Sequence, residues 1–390
     1  MSAPVFAEQP AALDRLAMVA GEASGDVLSA LLLQGLRQRH PALKAFGIGG
    51  RAMVAQGFDA WWSSDRLAVR GYVEVLRHYA DIVGIRRQLA ERLLREPPSL
   101  FMGVDAPDFN LDLACRLKAA GVATVQYVCP AVWAWRPERV QVIGRSVDHV
   151  LCVFPFEPAL LHRADIAASY VGHPLAQVIP MVPDRSAARE ALGLDPHRPV
   201  LALLPGSRHA EVAHLLQRFL LAAQALRDRH TGLQVVLPAV PALQGFIEQQ
   251  VSALNMQAWV QVVAGQSHAV LAACDVVLVA SGTATLEAAL FKRPMVIAYH
   301  MNALSWWITR RKKLQPWVGL PNILCQSFVV PERLQEEATP DALANELHEW
   351  LINPQRVADL QGRFSDLHVE LRRDTCALAA PVLEGLCRSV

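Results

Sequence analysis

Carboxylates, glycines and one arginine stand at the ends of apolar runs in this sequence, and chemistry is sought there first. Asp105-Ala106-Pro107-Asp108-Phe109-Asn110 follows the run Leu100–Val104. Two carboxylates three residues apart, stiffened by Pro107, suit proton abstraction; Asp108 or Asn110 can instead cap the helix that follows. Asp105, at the strand tip, is the leading general-base candidate. Gly21-Glu22-Ala23-Ser24-Gly25-Asp26 follows Leu16–Ala20. Its glycines can bring backbone N–H groups close to an anion, and Glu22 between them is a second candidate base. Asp26 suits the positive end of a helix. The spacing is not the dinucleotide fingerprint, which needs a glycine two residues after Gly21.

Two stretches in the second half point to phosphate. Pro205-Gly206-Ser207-Arg208 joins an apolar run to a helical one. Glycine, hydroxyl and guanidinium at a helix start make an anion site, and a cation there opposes the helix dipole unless an anion is present. Ser281-Gly282-Thr283-Ala284-Thr285-Leu286-Glu287 opens another helix with small residues, and Glu287, one turn in, can accept from sugar hydroxyls. Two such helix starts in one half suit a nucleotide diphosphate better than NAD. Arg208 could instead be a solvated first-turn residue, and the second stretch alone is also what a well-capped helix packed closely on the sheet would show.

Two aromatic stretches remain. Cys129-Pro130-Ala131-Val132-Trp133-Ala134-Trp135-Arg136 carries two tryptophans that are costly if exposed, so packing is expected. Trp306, Trp307, Arg310, Arg311, Lys312 and Lys313 combine indoles with four consecutive cations, which suits either an interfacial anchor on anionic lipid or a solvated basic loop. Leu67 to Leu94 mixes apolar residues with Arg70, Arg77, Arg86 and Arg87, suiting an amphipathic lip or a core helix with snorkelling arginines.

Strand-like and helix-like segments alternate around these stretches. Leu16–Ala20, Ser99–Val104, Val122–Val128 and His149–Phe154 read as strands, with helices over Asp26–Arg39 and Leu111–Ala120. Pro174, Pro180 and Pro183 crowd a linker from Gly172 to Asp184. The alternation then restarts: helix Ser186–Leu192, strand Pro199–Leu204, helix Ala210–Arg227, and strands Leu233–Leu237, Trp259–Val263, Asp275–Ala280 and Met295–Tyr299. This is an α/β chain of two successive doubly wound, Rossmann-like domains. A ligand cleft is expected between them, at the carboxyl ends of the sheets.

Composition agrees. The 390 residues are too many for one ordinary domain, and 53% hydrophobic with 19% charged is a core-forming balance. No apolar run reaches the length of a membrane span. Lys plus Arg is 37 and Asp plus Glu is 36, so bulk charge argues against a nucleic-acid partner. The seven cysteines show no metal spacing and read as buried thiols of a reducing cytosol, and no secretory signal is recognisable.

Together the motifs resemble the lipid-A-disaccharide synthase family, bacterial glycosyltransferases of lipid A assembly. The likeness runs from about Met18 to about Pro340 through VAGEASGD, VDAPDFN, VWAWR, PFE, GHPL, LLPGSR, ASGTATLE, LPNIL and the acidic tail of PERLQEEATP. Departures are small: no proline follows the glycines in Gly49-Gly50-Arg51-Ala52-Met53, Cys129 replaces a common serine, and Gln315-Pro316-Trp317 stands where Thr-Asp-Tyr-like residues are frequent.

The resemblance implies a GT-B fold, with an acceptor domain over 1–175, a UDP-sugar donor domain over 185–364, and a C-terminal helix near 365–390 packed back on the first. It implies an inverting transfer from UDP-2,3-diacylglucosamine to 2,3-diacylglucosamine 1-phosphate on the cytoplasmic face of the inner membrane, without cofactor or metal; a homodimer is among the expected assemblies. Asp105 would be the base, with Glu22 and Asp108 behind it. Gly206, Ser207, Arg208, Ser281, Gly282, Thr283, Ala284, Thr285, Glu287 and Asn322 would hold the donor. Two rivals stand beside this reading: another GT-B enzyme acting on UDP-N-acetylglucosamine (an epimerase or a peptidoglycan-precursor transferase), or a non-catalytic lipid- or nucleotide-binding protein.

Overall fold

A computed structural model describes residues 13–67, 72–134, 137–300 and 314–387. The chain divides into two compact units, Met1–Gln177 with Leu371–Val390, and Val178–Glu370.

In the first unit, strands β1 (Arg15–Ala20), β2 (Lys44–Gly49), β3 (Asp59–Ser63), β4 (Leu100–Val104), β5 (Thr124–Tyr127), β6 (His149–Cys152) and β7 (Ala168–Tyr170) form one sheet in the order β3-β2-β1-β4-β5-β6-β7. All neighbours pair in parallel. Helices cover a parallel sheet on both faces, so its central strands are apolar throughout; all five residues of β4 are buried. Helix Thr375–Leu386 returns to this unit against helix Ala23–Arg39. The Arg39 guanidinium and the His40 imidazole both reach Glu384, at 2.7 and 2.9 Å. A side chain at Gly35 would meet the Cys376 Cβ at 2.6 Å, so the close helix contact requires glycine there.

The second unit repeats the scheme. Strands β8 (Val200–Leu204), β9 (Gln234–Ala239), β10 (Val260–Ala264), β11 (Val276–Ala280), β12 (Met295–Tyr299) and β13 (Glu332–Leu334) lie in the order β10-β9-β8-β11-β12-β13, again parallel. Arg189, only 2% exposed, ties it together. Its guanidinium donates to Asp275 at 2.8 Å and to the carbonyls of Ala273, Pro196 and Arg198.

The linker expected from Gly172 to Asp184 contains the short helix Pro174–Val178, and the boundary between units falls within it. Beyond Asp81, helix Tyr72–Arg95 turns Ile85, Leu89, Ala90 and Leu93 into the core, the ordinary amphipathic outcome for that part of the arginine-rich stretch. Among the described residues no helix is long and apolar enough to cross a membrane. Trp306, Trp307, Arg310, Arg311, Lys312 and Lys313 lie outside the described residues, as do Arg70, Trp135 and Arg136.

Asp26 does more than favour a helix start. Its buried carboxylate accepts from the amides of Gly50 (2.8 Å), Ala52 (2.9 Å) and Met53 (3.0 Å), so it anchors the first turn of helix Arg51–Ala55 to the first turn of helix Ala23–Arg39. Asp26→Ala strands those donors and is expected to cost about 3 kcal/mol, with Asp26→Asn recovering part. Urea unfolding followed by circular dichroism checks it; an unchanged midpoint would rule out the anchor.

Candidate active site

In each sheet the strand order reverses beside the first strand of the unit, between β1 and β4 and between β8 and β11. At such a switch point the two following loops part to opposite faces and leave a crevice, where ligands of open α/β sheets bind. The four stretches singled out from the sequence are those four loops.

At the first switch point β1 and β4 run in register up to Ala20 opposite Val104, which brings Gly21 abreast of Asp105. The Asp105 carboxylate accepts from the Gly21 amide at 2.7 Å and the Glu22 amide at 3.0 Å. Asp105 and Ala106 both have positive φ, 52° and 35°, an unfavourable backbone for residues with a Cβ. A Cβ on Gly25 would lie 1.8 Å from Asp105 Oδ2, so the glycine leaves room for the carboxylate. Asn110, fully buried, donates to the carbonyls of Val19 (3.2 Å), Val104 (3.1 Å) and Asp105 (2.9 Å). It therefore clamps the two strand ends rather than capping a helix. Glu22 is half-buried at the start of helix Ala23–Arg39 and makes no side-chain cap there.

Asp108 departs from its expected role. It opens helix Pro107–Ala119, its side chain is 82% exposed, and it is ion-paired to Arg139. That pairing gives Asp108 a structural use at the start of the helix. The candidate base set reduces to Asp105 and Glu22.

Neighbouring loops add a buried polar cluster. Trp133 is 8% exposed, packs edge-on against Phe156 with centroids 5.3 Å apart, and donates its indole N–H to Glu157 Oε1 at 3.0 Å. Packing is thus the fate of this tryptophan. Glu157 Oε2 accepts from the Phe154 amide at 3.1 Å. Burial pushes the Glu157 carboxyl up to about 8, against the pull of those two N–H donors. His173 stacks on Phe154 with centroids 5.9 Å apart, and burial lowers its imidazole to about 4, so it is neutral. A sequence signal existed: the apolar run Val150–Phe156 places Glu157 where a surface carboxylate is not expected.

At the second switch point β8 and β11 pair with Leu204 opposite Val279, so Pro205 and Gly206 come abreast of Ala280 and Ser281. Gly206 has φ 123° and Gly282 φ 154° with ψ −163°, a conformation essentially reserved for glycine. Ser207 is exposed, and Arg208 starts the 21-residue helix His209–Arg229. The sequence argument that a cation there needs an anion has an answer inside the protein: the Arg208 guanidinium is paired with Glu211, in the first turn.

Ser281 donates to the Val318 carbonyl at 3.2 Å, and Thr283 and Ala284 open helix Thr283–Leu290 with first-turn N–H groups. Thr285 differs from expectation: it is fully buried, with its hydroxyl on the Gly282 carbonyl at 2.8 Å, so its side chain shapes the loop instead of meeting a ligand. Glu287 is paired with His268 at 3.3 Å and keeps 19% of its side chain exposed.

Asn322 is also structural. It is fully buried, its amide nitrogen donates to Val330 O (2.9 Å) and Glu332 Oε1 (2.8 Å), and its oxygen accepts from the amides of Val329 (2.8 Å) and Val330 (2.9 Å). With both ends of the amide occupied, nothing is left to orient a donor. Glu332, unremarked in the sequence, completes the clamp by accepting from the amides of Val318 (2.9 Å) and Gly319 (2.9 Å).

Two doubly wound domains, each with its loops gathered at a switch point, define the GT-B class. Solved structures of that fold match nearly the whole chain. The glycotransferase of kitacinnamycin is 16% identical over 96% of this chain and 99% of its own, with a TM-score of 0.61. S. aureus MnaA, solved with UDP, is 10% identical over 94% of each chain, with a TM-score of 0.64. The sequence profile of the lipid-A-disaccharide synthetase family matches residues 16–383. A lipid-A-disaccharide synthase of Albidiferax ferrireducens is 61% identical over 95% of this chain and 96% of its own length. The chain belongs to the lipid-A-disaccharide synthase family, and is a glycosyltransferase of lipid A biosynthesis; neither rival reading survives that membership.

Glu157 generates a pH prediction. Its folded-state value lies above its unfolded one, so its contribution to stability is fully present below 4.5 and is lost as the pH rises through about 8. Over that window wild-type stability should fall relative to Glu157→Gln, whose amide has no such slope. Chemical denaturation at a series of pH values tests it; parallel curves would mean the carboxyl is ionised throughout.

Proposed function

We propose that this glycosyltransferase transfers the diacylglucosaminyl group of UDP-2,3-diacylglucosamine to the 6-hydroxyl of 2,3-diacylglucosamine 1-phosphate. The products are the β-1,6-linked disaccharide 1-phosphate and UDP. The observation that carries this reading is the contrast between the switch points of a chain in this family. One is lined by a seated carboxylate, the other by glycines, a guanidinium and helix N-termini.

The acceptor oxygen attacks the anomeric carbon from the face opposite the diphosphate, which inverts the centre. Its proton passes to a carboxylate, and Asp105 is the first assignment with Glu22 second. The bond to the diphosphate breaks and negative charge gathers on UDP. Arg208, Ser207 and the first-turn N–H groups of Thr283 and Ala284 stabilise that charge, with Gly206 and Gly282 letting the backbone approach. The diphosphate takes over the Arg208 N–H groups now paired with Glu211, and Glu287 accepts from the ribose. These charges do the work a metal does elsewhere, so no metal or cofactor is required. S. aureus MnaA, which shares the fold, was solved with UDP, and that supports a nucleotide ligand.

Both substrates carry acyl chains, and withdrawing them fully from lipid costs about 0.8 kcal/mol per CH₂. Work at the cytoplasmic face of the inner membrane avoids most of that cost. The Trp306–Lys313 cluster is the proposed surface contact.

Incubation with both diacyl substrates should release UDP and disaccharide 1-phosphate; folded protein giving neither would sink the assignment. Asp105→Asn should lower kcat by about 10²–10⁴-fold with the donor KM little changed, and normal turnover would move the base to Glu22.

Arg208→Ala should lower kcat/KM by about 2–4 kcal/mol of transition-state stabilisation and weaken UDP binding. Chelator should leave the wild type active. Unaltered kinetics in the variant, or strict dependence on added metal, would refute this account of the leaving group.

A further inference from the structure

The amino ends of the first sheet, opposite its switch point, carry a feature the transferase reaction does not use. Arg15, Lys44 and Asp59 are the first residues of β1, β2 and β3, and with Arg37, Arg92 and Glu96 they line a cavity of about 410 Å³. Four cations face two carboxylates, which leaves two positive charges at one small opening.

The carboxylates do not neutralise the cations closely. Asp59 accepts the indole N–H of Trp61 at 2.8 Å. Glu96 is 68% exposed and lies 3.9 Å from the Arg15 guanidinium, the limit of an ion pair.

Two of the guanidiniums are held by aromatic faces. Arg92 sits 3.5 Å above the Trp61 ring and Arg15 5.2 Å from the centre of the Phe46 ring, and those rings stack on each other at 4.8 Å. A guanidinium stacked on a ring is fixed in orientation through its π face, which leaves its N–H edge to hydrogen-bond; Arg15 spends one N–H on the Glu96 carbonyl at 3.5 Å and keeps others. Arg37 donates to the Gly57 carbonyl at 2.8 Å, yet its Nε is buried with no hydrogen-bond partner among the described residues. The exposed Lys44 ammonium also makes no hydrogen bond among them.

From this arrangement we infer a second anion site in the first unit, selective for a phosphomonoester. Its dianion matches the two uncompensated positive charges, and its three oxygens can accept from several N–H donors at once. A carboxylate carries half that charge and fewer acceptors. The same group occurs on small soluble phosphates and on the headgroup of phosphatidic acid, and one experiment separates these sources.

Glycerol 3-phosphate is titrated into the full-length protein by calorimetry at low salt, and phosphatidylcholine vesicles with and without phosphatidic acid are sedimented with it. Lys44→Gln should weaken the interaction at least about tenfold and Lys44→Glu should abolish it. Arg208→Ala should leave it intact, which separates this site from the proposed donor site and lets either fail without the other. Lys44-dependent binding of glycerol 3-phosphate identifies a soluble ligand. Binding only to phosphatidic-acid vesicles, again Lys44-dependent, identifies the lipid headgroup. No binding of either probe, or binding that survives Lys44→Glu in correctly folded protein, overturns the inference.

Discussion

Two hydrogen bonds from the amides of Gly21 and Glu22 to one carboxylate tie together the two loops that part at the first switch point. β1 and β4 are paired as far as Ala20 and Val104, but the loops that follow them leave in opposite directions, and the strand ladder does not extend into them. Asp105 closes the gap between those loops from one side and Asn110 ties the strand ends beneath. The backbone of Asp105 and Ala106 accepts an unfavourable conformation to put the carboxylate there. The same tie makes that carboxylate a candidate for chemistry, because a group fixed by two N–H donors at a crevice has a defined direction. Structure and proposed function therefore load one residue, and Asp105→Asn tests both at once.

The second unit solves the same geometric problem differently. Among the described residues no carboxylate is seen to bond the loop after β8 to the loop after β11. Instead the loop after β11 is braced from outside, by Ser281 on Val318 and by the Asn322–Glu332 clamp behind Val318 and Gly319. Glycines 206 and 282 line the gap, and both following helices present their positive ends to it. One topology thus yields two electrostatic outcomes, an anionic group at one switch point and a field that favours anions at the other.

The sequence made the central strands readable because burial on both faces leaves them no polar alternation to confuse. Four strands, β2, β3, β7 and β13, were not readable. β2 carries two glycines, β3 two tryptophans between polar ends, and β7 and β13 only three residues each, so neither length nor periodicity marks them. At the site, position after a strand identified Asp105 and the Arg208 loop. What local spacing could not reveal was the use of polar groups over long distances. Asp26 answers amides some 24 to 27 positions away, and Glu157 receives an indole from Trp133. Asn322 is the instructive error: a buried amide that satisfies four partners looks, in sequence, the same as one that awaits a ligand.

Near-neutral net charge is likewise a statement about the whole chain and not about any part of its surface. Many cations are matched by neighbours, as in Arg66 with Asp81, Arg39 with Glu384, Arg333 with Glu346, and Arg185 with Asp275. Such exposed or half-buried pairs contribute little each to stability and leave little field beyond about a Debye length. Pairing them locally concentrates the unmatched positive charge elsewhere. In the first unit four cations and two carboxylates line the cavity at the amino ends of β1 to β3, where aromatic rings hold two guanidiniums through their faces. A chain with almost equal numbers of cations and anions can in this way still present a site whose partner is decided by charge.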